Sequence, residues 1–260
     1  MTTLVLGASG ATGRQLVTQL LKRNQKVKVI VRSLDSLPEN WKNNEHLKII
    51  TGSVLDLTDQ EMAEHVIDCQ AIASCLGHNL TWKGVYGQPR QLVTEATRRF
   101  IQAAKVHKPE KPIKYVLMNT TGNRNRDLNE PISFGQKCVI SLLRLLLPPH
   151  VDNEKAADFL RTEIGQIDPF IDWVAVRPDS LLNEEEVTEY NIFPSPIRSA
   201  IFNPGKTSRI NVGHFMARLI IDEDLWTQWK GKMPVIYNTS SIGMNEIISR
   251  ENKYFKLTST

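Results

Sequence analysis

The sequence predicts a parallel, doubly wound α/β sheet, and three observations predict it. Short runs rich in Val, Ile and Leu recur along the chain: "TLVLG", "VKVIVR", "LKII", "AIASCLG", "IKYVLMNT" and "DWVAVRP". These runs are continuously apolar rather than alternating, as strands covered on both faces must be. Most are followed by a longer stretch at helical spacing, at residues 11–23, 58–67, 88–107 and 137–165, and crossovers of that length join neighbouring strands in parallel.

In chain order, the first strand stops at Gly7. The helix behind it carries Leu16, Leu20 and Leu21 on one stripe, with Arg14, Gln19 and Arg23 off it. From about residue 180 the character changes to polar loops with several prolines ("FPSPIRSAIFNPGKTSRI"), then one helix ("VGHFMARLIIDED") and a late strand ("MPVIYN"). No repeat or low-complexity segment interrupts this order. The chain reads as one domain over 1–260, with 180–260 a small C-terminal elaboration on the substrate side, and "ENKYFKLTST" as a surface tail or edge element.

Composition narrows the function classes. Hydrophobic residues at 41% and charged residues at 23% are ordinary for a globular protein. The formal charge of +4 is spread, with basic pairs such as Arg98–Arg99 and no longer basic run, which points to an anionic small ligand rather than to nucleic acid. Cys69, Cys75 and Cys138 are odd in number and lack metal-ligand spacing, so neither a disulfide framework nor a metal is expected, and a reducing compartment fits. The first apolar run begins at residue 4, without a signal-peptide pattern before it. The most apolar stretch, "CVISLLRLLLPP", is broken by Arg144 and closed by Pro148 and Pro149, short of the roughly 20 residues that span a bilayer. A cytoplasmic location is the expectation.

The glycine loop carries the first chemistry. Gly7, Gly10 and Gly13 form GxxGxxG between a strand and a helix. In such a unit one glycine allows the turn, one lets backbone approach a pyrophosphate, and one lets the helix pack close to the strand. The helix N-terminus then offers N–H groups and a positive dipole end to phosphate. On this reading Gly7, Ser9, Gly10, Ala11, Thr12, Gly13 and Arg14 line a dinucleotide, and the sheet is of Rossmann type. The alternative is a turn that merely needs positive φ angles.

A ribose-binding Asp or Glu is expected about 20 residues beyond such a loop when NAD is preferred. Here "VIVRSLDSL" places Arg32 and then Ser33 at the end of the second strand. A guanidinium would receive a 2′-phosphate that a carboxylate would repel, with Arg14 as a second cation, so NADPH is preferred over NADH; otherwise Arg32 is a solvated strand-end charge. Ser53 and Val54 in "GSVLD" would flank the adenine. Leu76, Gly77 and His78 in "CLGHN" follow the fourth strand, where the Gly77 backbone would approach the cofactor. His78 is either a phosphate or ribose contact or an exposed loop histidine.

With "GASGATGR", "GSVLD", "NTTGN", "NEKAADFLR", "VAVRPDSL" and "VGHFMARLI" in this order, the chain resembles the atypical short-chain dehydrogenase/reductases. Within them it is similar to the NmrA-like and biliverdin reductase B/flavin reductase branch, over about residues 2 to 240. The resemblance implies a Rossmann sheet with NADPH across it and substrate over the nicotinamide. It also implies a Tyr-x-x-x-Lys pair, of which Lys155 is present as a cofactor-binding and catalytic candidate while Val151 stands in the tyrosine's place. The flavin reductase branch also lacks the tyrosine and still transfers hydride. The expected function is therefore an NADPH-dependent reduction of a planar conjugated acceptor, a flavin or a quinone. Its rival is a non-catalytic NADP-sensing regulator or assembly factor of the NmrA-like type.

The remaining candidates follow from position. Thr120 and Thr121 in "NTTG" would place a hydroxyl near the nicotinamide, Thr121 as the catalytic contact, or would simply turn the chain at Gly122. Pro178 and Asp179 in "RPDSL" would wall the site, Asp179 as an acid or as a plain loop carboxylate. Trp82 and Tyr86 in "NLTWKGVYGQPR" would stack on a planar substrate or anchor their loop. "TTGNRNRDLNEP" is a flap or a solvated insertion, and His214 and Phe215 are structural. "FGQKCVISLLRLLLPP" is a pocket wall or lid, an oligomer interface or a helix buried on the sheet, rather than a membrane-surface helix, which would carry more basic residues; a homodimer or a regulatory protein is the expected macromolecular partner.

Overall fold

The computed structural model describes residues 1–35, 37–78, 90–128, 130 and 132–241. In chain order the elements are β1 (Thr2–Leu6), α1 (Ala11–Leu21), β2 (Lys26–Val31), β3 (Leu47–Thr51), α2 (Asp59–Val66), β4 (Ala71–Ser74), α3 (Leu92–Val106), β5 (Ile113–Met118), α4 (Phe134–Leu146), α5 (Pro148–Phe159), β6 (Ile171–Pro178), β7 (Ser180–Leu182), β8 (Tyr190–Phe193), β9 (Lys206–Ser208), α6 (Arg209–Ile221), α7 (Glu223–Trp229) and β10 (Val235–Asn238). The main sheet runs β3-β2-β1-β4-β5-β6-β10-β8, and only the β10–β8 pairing is antiparallel. The strand order reverses between β1 and β4, which opens a crevice at their carboxyl ends. A small parallel pair, β7 with β9, stands beside it.

Both sheet faces are buried, which is why the strands read as unbroken apolar runs. Leu4, Leu6, Ile72, Tyr115 and Trp173 face Met62 of α2, Phe100 of α3 and Phe159 of α5. Val5, Val27, Val29, Val174 and Val176 face Leu16 and Leu20 of α1, Phe215 and Met216 of α6, and Trp226 of α7. Each fully buried side chain of this kind contributes roughly 1.5–3 kcal/mol, so these two layers, rather than the exposed ion pairs, hold the sheet together.

The region after residue 180 is more integrated than a peripheral elaboration. β10 and β8 extend the main sheet, and α6 packs directly on α1. The long helical stretch expected over 137–165 is two helices, because Pro148 and Pro149 open a new one. Of α4, only Ile140 is buried, while Phe134, Leu142, Leu145 and Leu146 are exposed. The helix therefore does not lie buried on the sheet. Among the described residues no helix is long and apolar enough to cross a membrane.

Candidate functional site

The glycine loop sits at the carboxyl end of β1. Gly7 has φ +73°, and a Cβ there would lie 2.6 Å from the Cys75 carbonyl oxygen after β4. A Cβ at Gly13 would lie 2.2 Å from the Gly7 carbonyl oxygen. The first glycine makes the turn and the third lets α1 ride on the turn. The amide of Gly10 donates to Gly7 O at 3.0 Å and closes the loop.

Helix capping separates α1 from every described helix but α5, which opens on Pro148 and Pro149. Thr58, Ser133, Ser208 and Asp222 cap α2, α4, α6 and α7 with their side chains. The first turn of α3 is capped from a distance, by Asp152 of α5. Helix α1 starts at Gly10 with no side-chain cap, so its N–H groups and its dipole face the crevice, an arrangement suited to phosphate. A Cβ at Gly77 would meet no described atom within 4 Å, so no described residue bars a cofactor from the backbone there. The residues present therefore fit a dinucleotide.

Around this loop, Ser9 and Arg14 are half-buried, Ala11 is exposed and Thr12 is buried. Arg32 is exposed immediately after β2, and the neighbouring Ser33 hydroxyl is engaged by Asp35 at 3.0 Å. Ser53 is half-buried, whereas Val54 packs into the core against α2 and α3, as does the partly buried Leu76.

His78 and Lys155 stand differently from their sequence readings, for one shared reason. Asp152 is buried, and its carboxylate accepts the amides of Val93 at 2.8 Å and Thr94 at 2.9 Å, pinning α5 beneath the start of α3. The same carboxylate holds His78 Nε2 at 2.8 Å, and the imidazole is 5% exposed. The ring is thus not an exposed loop histidine, and Nε2 is already occupied. Lys155, one turn beyond Asp152, is turned to the α3 side, where it borders a shallow cleft with Gln91, Thr94 and Arg98. It is not brought to Thr121.

Burial pulls the Asp152 carboxyl up, but the hydrogen bonds from His78, Thr94 and Val93 outweigh it and hold the group below its usual 3.8. A depressed carboxyl adds stability that is full above its unfolded-state value and is lost as pH falls through the folded one. Thermal melts from pH 7 to pH 2 should therefore show a shallower loss below about pH 4 in Asp152→Asn than in the parent, from a lower starting Tm. Parallel acid limbs would remove Asp152 from this role.

At the other end, β5 leads into a turn built by side chains. Asn119 receives the Thr120 amide at 2.8 Å and reaches Asn153 O on α5 at 2.9 Å, and Thr120 Oγ1 accepts from Gly122. Thr120 therefore serves the turn. Thr121 is buried and donates its amide to Pro178 O at 3.1 Å, and its side chain favours the charged form of the neighbouring Asp179 carboxyl. Asp179 also accepts the amides of Ser180 and Gly205 at 2.9 and 3.0 Å, yet burial dominates and pushes its carboxyl above the ordinary range. Thr121, Pro178 and Asp179 are thus brought together. Trp82 and Tyr86 lie outside the described residues.

Beside Thr121 opens a cavity of about 430 Å³, walled by Gly122, Arg124, Glu130 and Ile132, by Gln136 and Ile140 of α4, and by residues 196–200. Beneath it Arg177, fully buried, forms a two-point pair with Glu130 at 2.7 and 3.0 Å. Its remaining N–H groups go to the carbonyls of Met233, Asn123 and Pro194. This pair fastens the post-β5 segment to β6 and to the 194–200 loop. Sequence reasoning missed Glu130, Arg124, Gln136 and Arg198; the polar segments carrying them stood out, but not which residues turn inward.

Residues 7–223 match the family described as NAD(P)H-binding. The chain belongs to this family. No curated protein matches it. Among solved structures, a short-chain dehydrogenase/reductase from Veillonella parvula in complex with NADP superposes with TM-score 0.66 at 16% identity, covering 92% of this chain and 95% of that one. The anaerobilin reductase ChuY from Escherichia coli O157:H7 gives 0.65 at 15%, covering 94% and 100%. A candidate NADH-flavin reductase from Streptococcus pneumoniae gives 0.61 at 17%, covering 92% and 100%. At such identities the likeness is one of fold. As a member of the NAD(P)H-binding family the chain binds a nicotinamide dinucleotide, and Thr121 lies two strands along the same sheet edge from the glycine loop.

Proposed function

We propose that this member of the NAD(P)H-binding family is an NADPH-dependent reductase of a planar conjugated acceptor such as a flavin or a quinone. The observation that carries the reading is the Thr121-lined cavity opening beside the carboxyl ends of β5 and β6, on the edge that carries the glycine loop. Bound NADPH supplies the hydride. Gly7 and Gly13 admit the pyrophosphate to the α1 N-terminus, and Arg32 with Arg14 meets the 2′-phosphate. Thr121 offers its hydroxyl at the reacting end, and Asp179 beside it keeps a proton to higher pH than an exposed aspartate does. Catalysis by positioning a conjugated ring against the nicotinamide does not call on the Tyr-x-x-x-Lys pair, of which Val151 removes one member and the helical phase of α5 turns the other aside. In the same reading Trp82 and Tyr86 are the candidates to stack on the acceptor ring. The reductase names of two structural neighbours and the unpaired thiols of Cys69, Cys75 and Cys138, suited to a reducing cytoplasm, agree with it.

The test is NADPH oxidation over a panel of flavins and quinones, with NADPH binding titrated in parallel. Turnover on ring acceptors is expected. Tight binding without turnover on any of them would replace the reductase with an NADP-sensing or assembly protein. For the cofactor, Arg32→Asp should lower the NADPH to NADH affinity ratio by about 10–100-fold, the scale of one hydrogen bond to a charged group. An unchanged ratio would detach Arg32 from the 2′-phosphate.

A further inference from the structure

We infer that Gln136 is the hydrogen-bond donor for a ring carbonyl of the acceptor in the cavity beside Thr121, and that it steadies the charge hydride transfer places on that oxygen. The inference rests on the reductase reading and adds the functional group that the site recognises. Gln136 and Ile140 stand one turn apart on the face of α4 that lines the cavity. The direction of the Gln136 amide is set from the 196–200 wall. Ser199 Oγ accepts the amides of Phe202 at 3.1 Å and Ile201 at 3.4 Å, which occupies both of its lone pairs. Its single O–H is left as a donor, and it goes to Gln136 Oε1 at 3.0 Å. Oε1 therefore faces Ser199, and Nε2, with two N–H groups, has no partner among the described residues. Glu130, the carboxylate of the lining, commits its oxygens to Arg177 and the Asn125 amide. Ile132, Ile140 and Ile197 give the same cavity an apolar wall, so a planar ring can lie against them with its carbonyl at the amide. Hydride transfer from NADPH to a quinone yields NADP⁺ and a hydroquinone monoanion, and a proton from water completes the hydroquinone. The negative charge arises on a carbonyl oxygen, where a donor already in place lowers the barrier. Val151 leaves the chain without the tyrosine of the Tyr-x-x-x-Lys pair, and a neutral amide supplies this hydrogen bond without giving up a proton.

The experiment uses duroquinone, an uncharged ring without a free position for thiol addition, bound to the protein loaded with NADP⁺. Affinity is titrated by calorimetry, and the carbonyl stretch of the bound quinone is read by isotope-edited infrared difference spectroscopy. Gln136→Leu removes the donor and keeps an apolar side chain of similar reach. It should weaken duroquinone binding about 3–10-fold, the scale of one neutral hydrogen bond, and raise the carbonyl frequency of the bound quinone. With NADPH in place of NADP⁺, hydride transfer should slow about 100-fold, the scale of one donor lost from an oxyanion site. Tm and NADPH affinity should hold. Ser199→Ala frees the amide to turn and should give an intermediate loss with an intermediate frequency, while Ser199→Thr, which keeps the hydroxyl, should restore most of the parental affinity. The inference is overturned if Gln136→Leu leaves the carbonyl band where the parent has it, whatever happens to affinity, or if duroquinone does not bind. Turnover separates the two claims. A carbonyl band that depends on Gln136 without NADPH oxidation keeps the donor and removes the reductase. NADPH oxidation that Gln136→Leu leaves at the parental rate removes the donor and keeps the reductase.

Discussion

Glu130→Ala is expected to lower the unfolding free energy by about 3–5 kcal/mol, because it leaves a buried guanidinium without its counter-charge. Arg177 is fully buried and gives two of its N–H groups to Glu130, and no water-exposed route lets it recover the lost solvation. For a chain of this size each kcal/mol moves Tm by about 2–4 °C, so the loss is readable in a single melt. Glu130→Gln should cost less, since an amide oxygen can still accept from Arg177 while the charge is lost. The consequence reaches beyond stability. Glu130 also accepts the Asn125 amide and its carbonyl anchors Arg124, so the wall of the acceptor cavity loosens with it. A Tm within 2 °C of the parent, on the scale just given, would show that the pair does not hold this segment.

Gly13→Val should abolish measurable NADPH binding, a loss of more than about 100-fold if two charged contacts at the α1 N-terminus go. Its Cβ would sit 2.2 Å from the Gly7 carbonyl oxygen and 3.0 Å from Ala8 Cα, and backbone atoms cannot swing aside as a side chain does. Helix α1 must lift from the loop, at a stability cost of about 1–3 kcal/mol from overpacking. Gly77→Ala provides the contrast. Nothing among the described residues lies within 4 Å of its Cβ, so Tm should hold while NADPH affinity falls, the new methyl entering the cofactor's path. Parental affinity in both variants would mean that neither glycine borders the dinucleotide.

Features encoded locally were legible in the sequence. The glycine loop announces itself because Gly7 and Gly13 are required by contacts within one strand-turn-helix unit, and the continuous strands declare a sheet covered on both faces. Features set by distant contacts were not. Spacing puts Lys155 at the Tyr-x-x-x-Lys position, but the rotation of α5 is decided by Asp152 bonding to the amides of Val93 and Thr94, 59 and 58 residues away. That same carboxylate withdraws His78 from the loop surface. Glu130 and Arg177, 47 residues apart, define the cavity floor through a pairing that no local pattern marks. The exposed face of α4 could not be told from a buried one, since Phe134, Leu142 and Leu145 have the composition of a core helix.

The central claim is hydride transfer from NADPH to a conjugated ring held beside Thr121. The measurement that tests it most directly is a single anaerobic turnover in a stopped-flow mixer, with the NADPH-loaded protein mixed against one equivalent of FMN and the nicotinamide and flavin absorbances followed together. The account predicts that both bleach with the same rate constant and equal amplitude, and that Thr121→Ala slows the step while leaving NADPH affinity unchanged. An NADPH complex that forms and leaves both absorbances unaltered, with FMN and with the quinone alike, would contradict it.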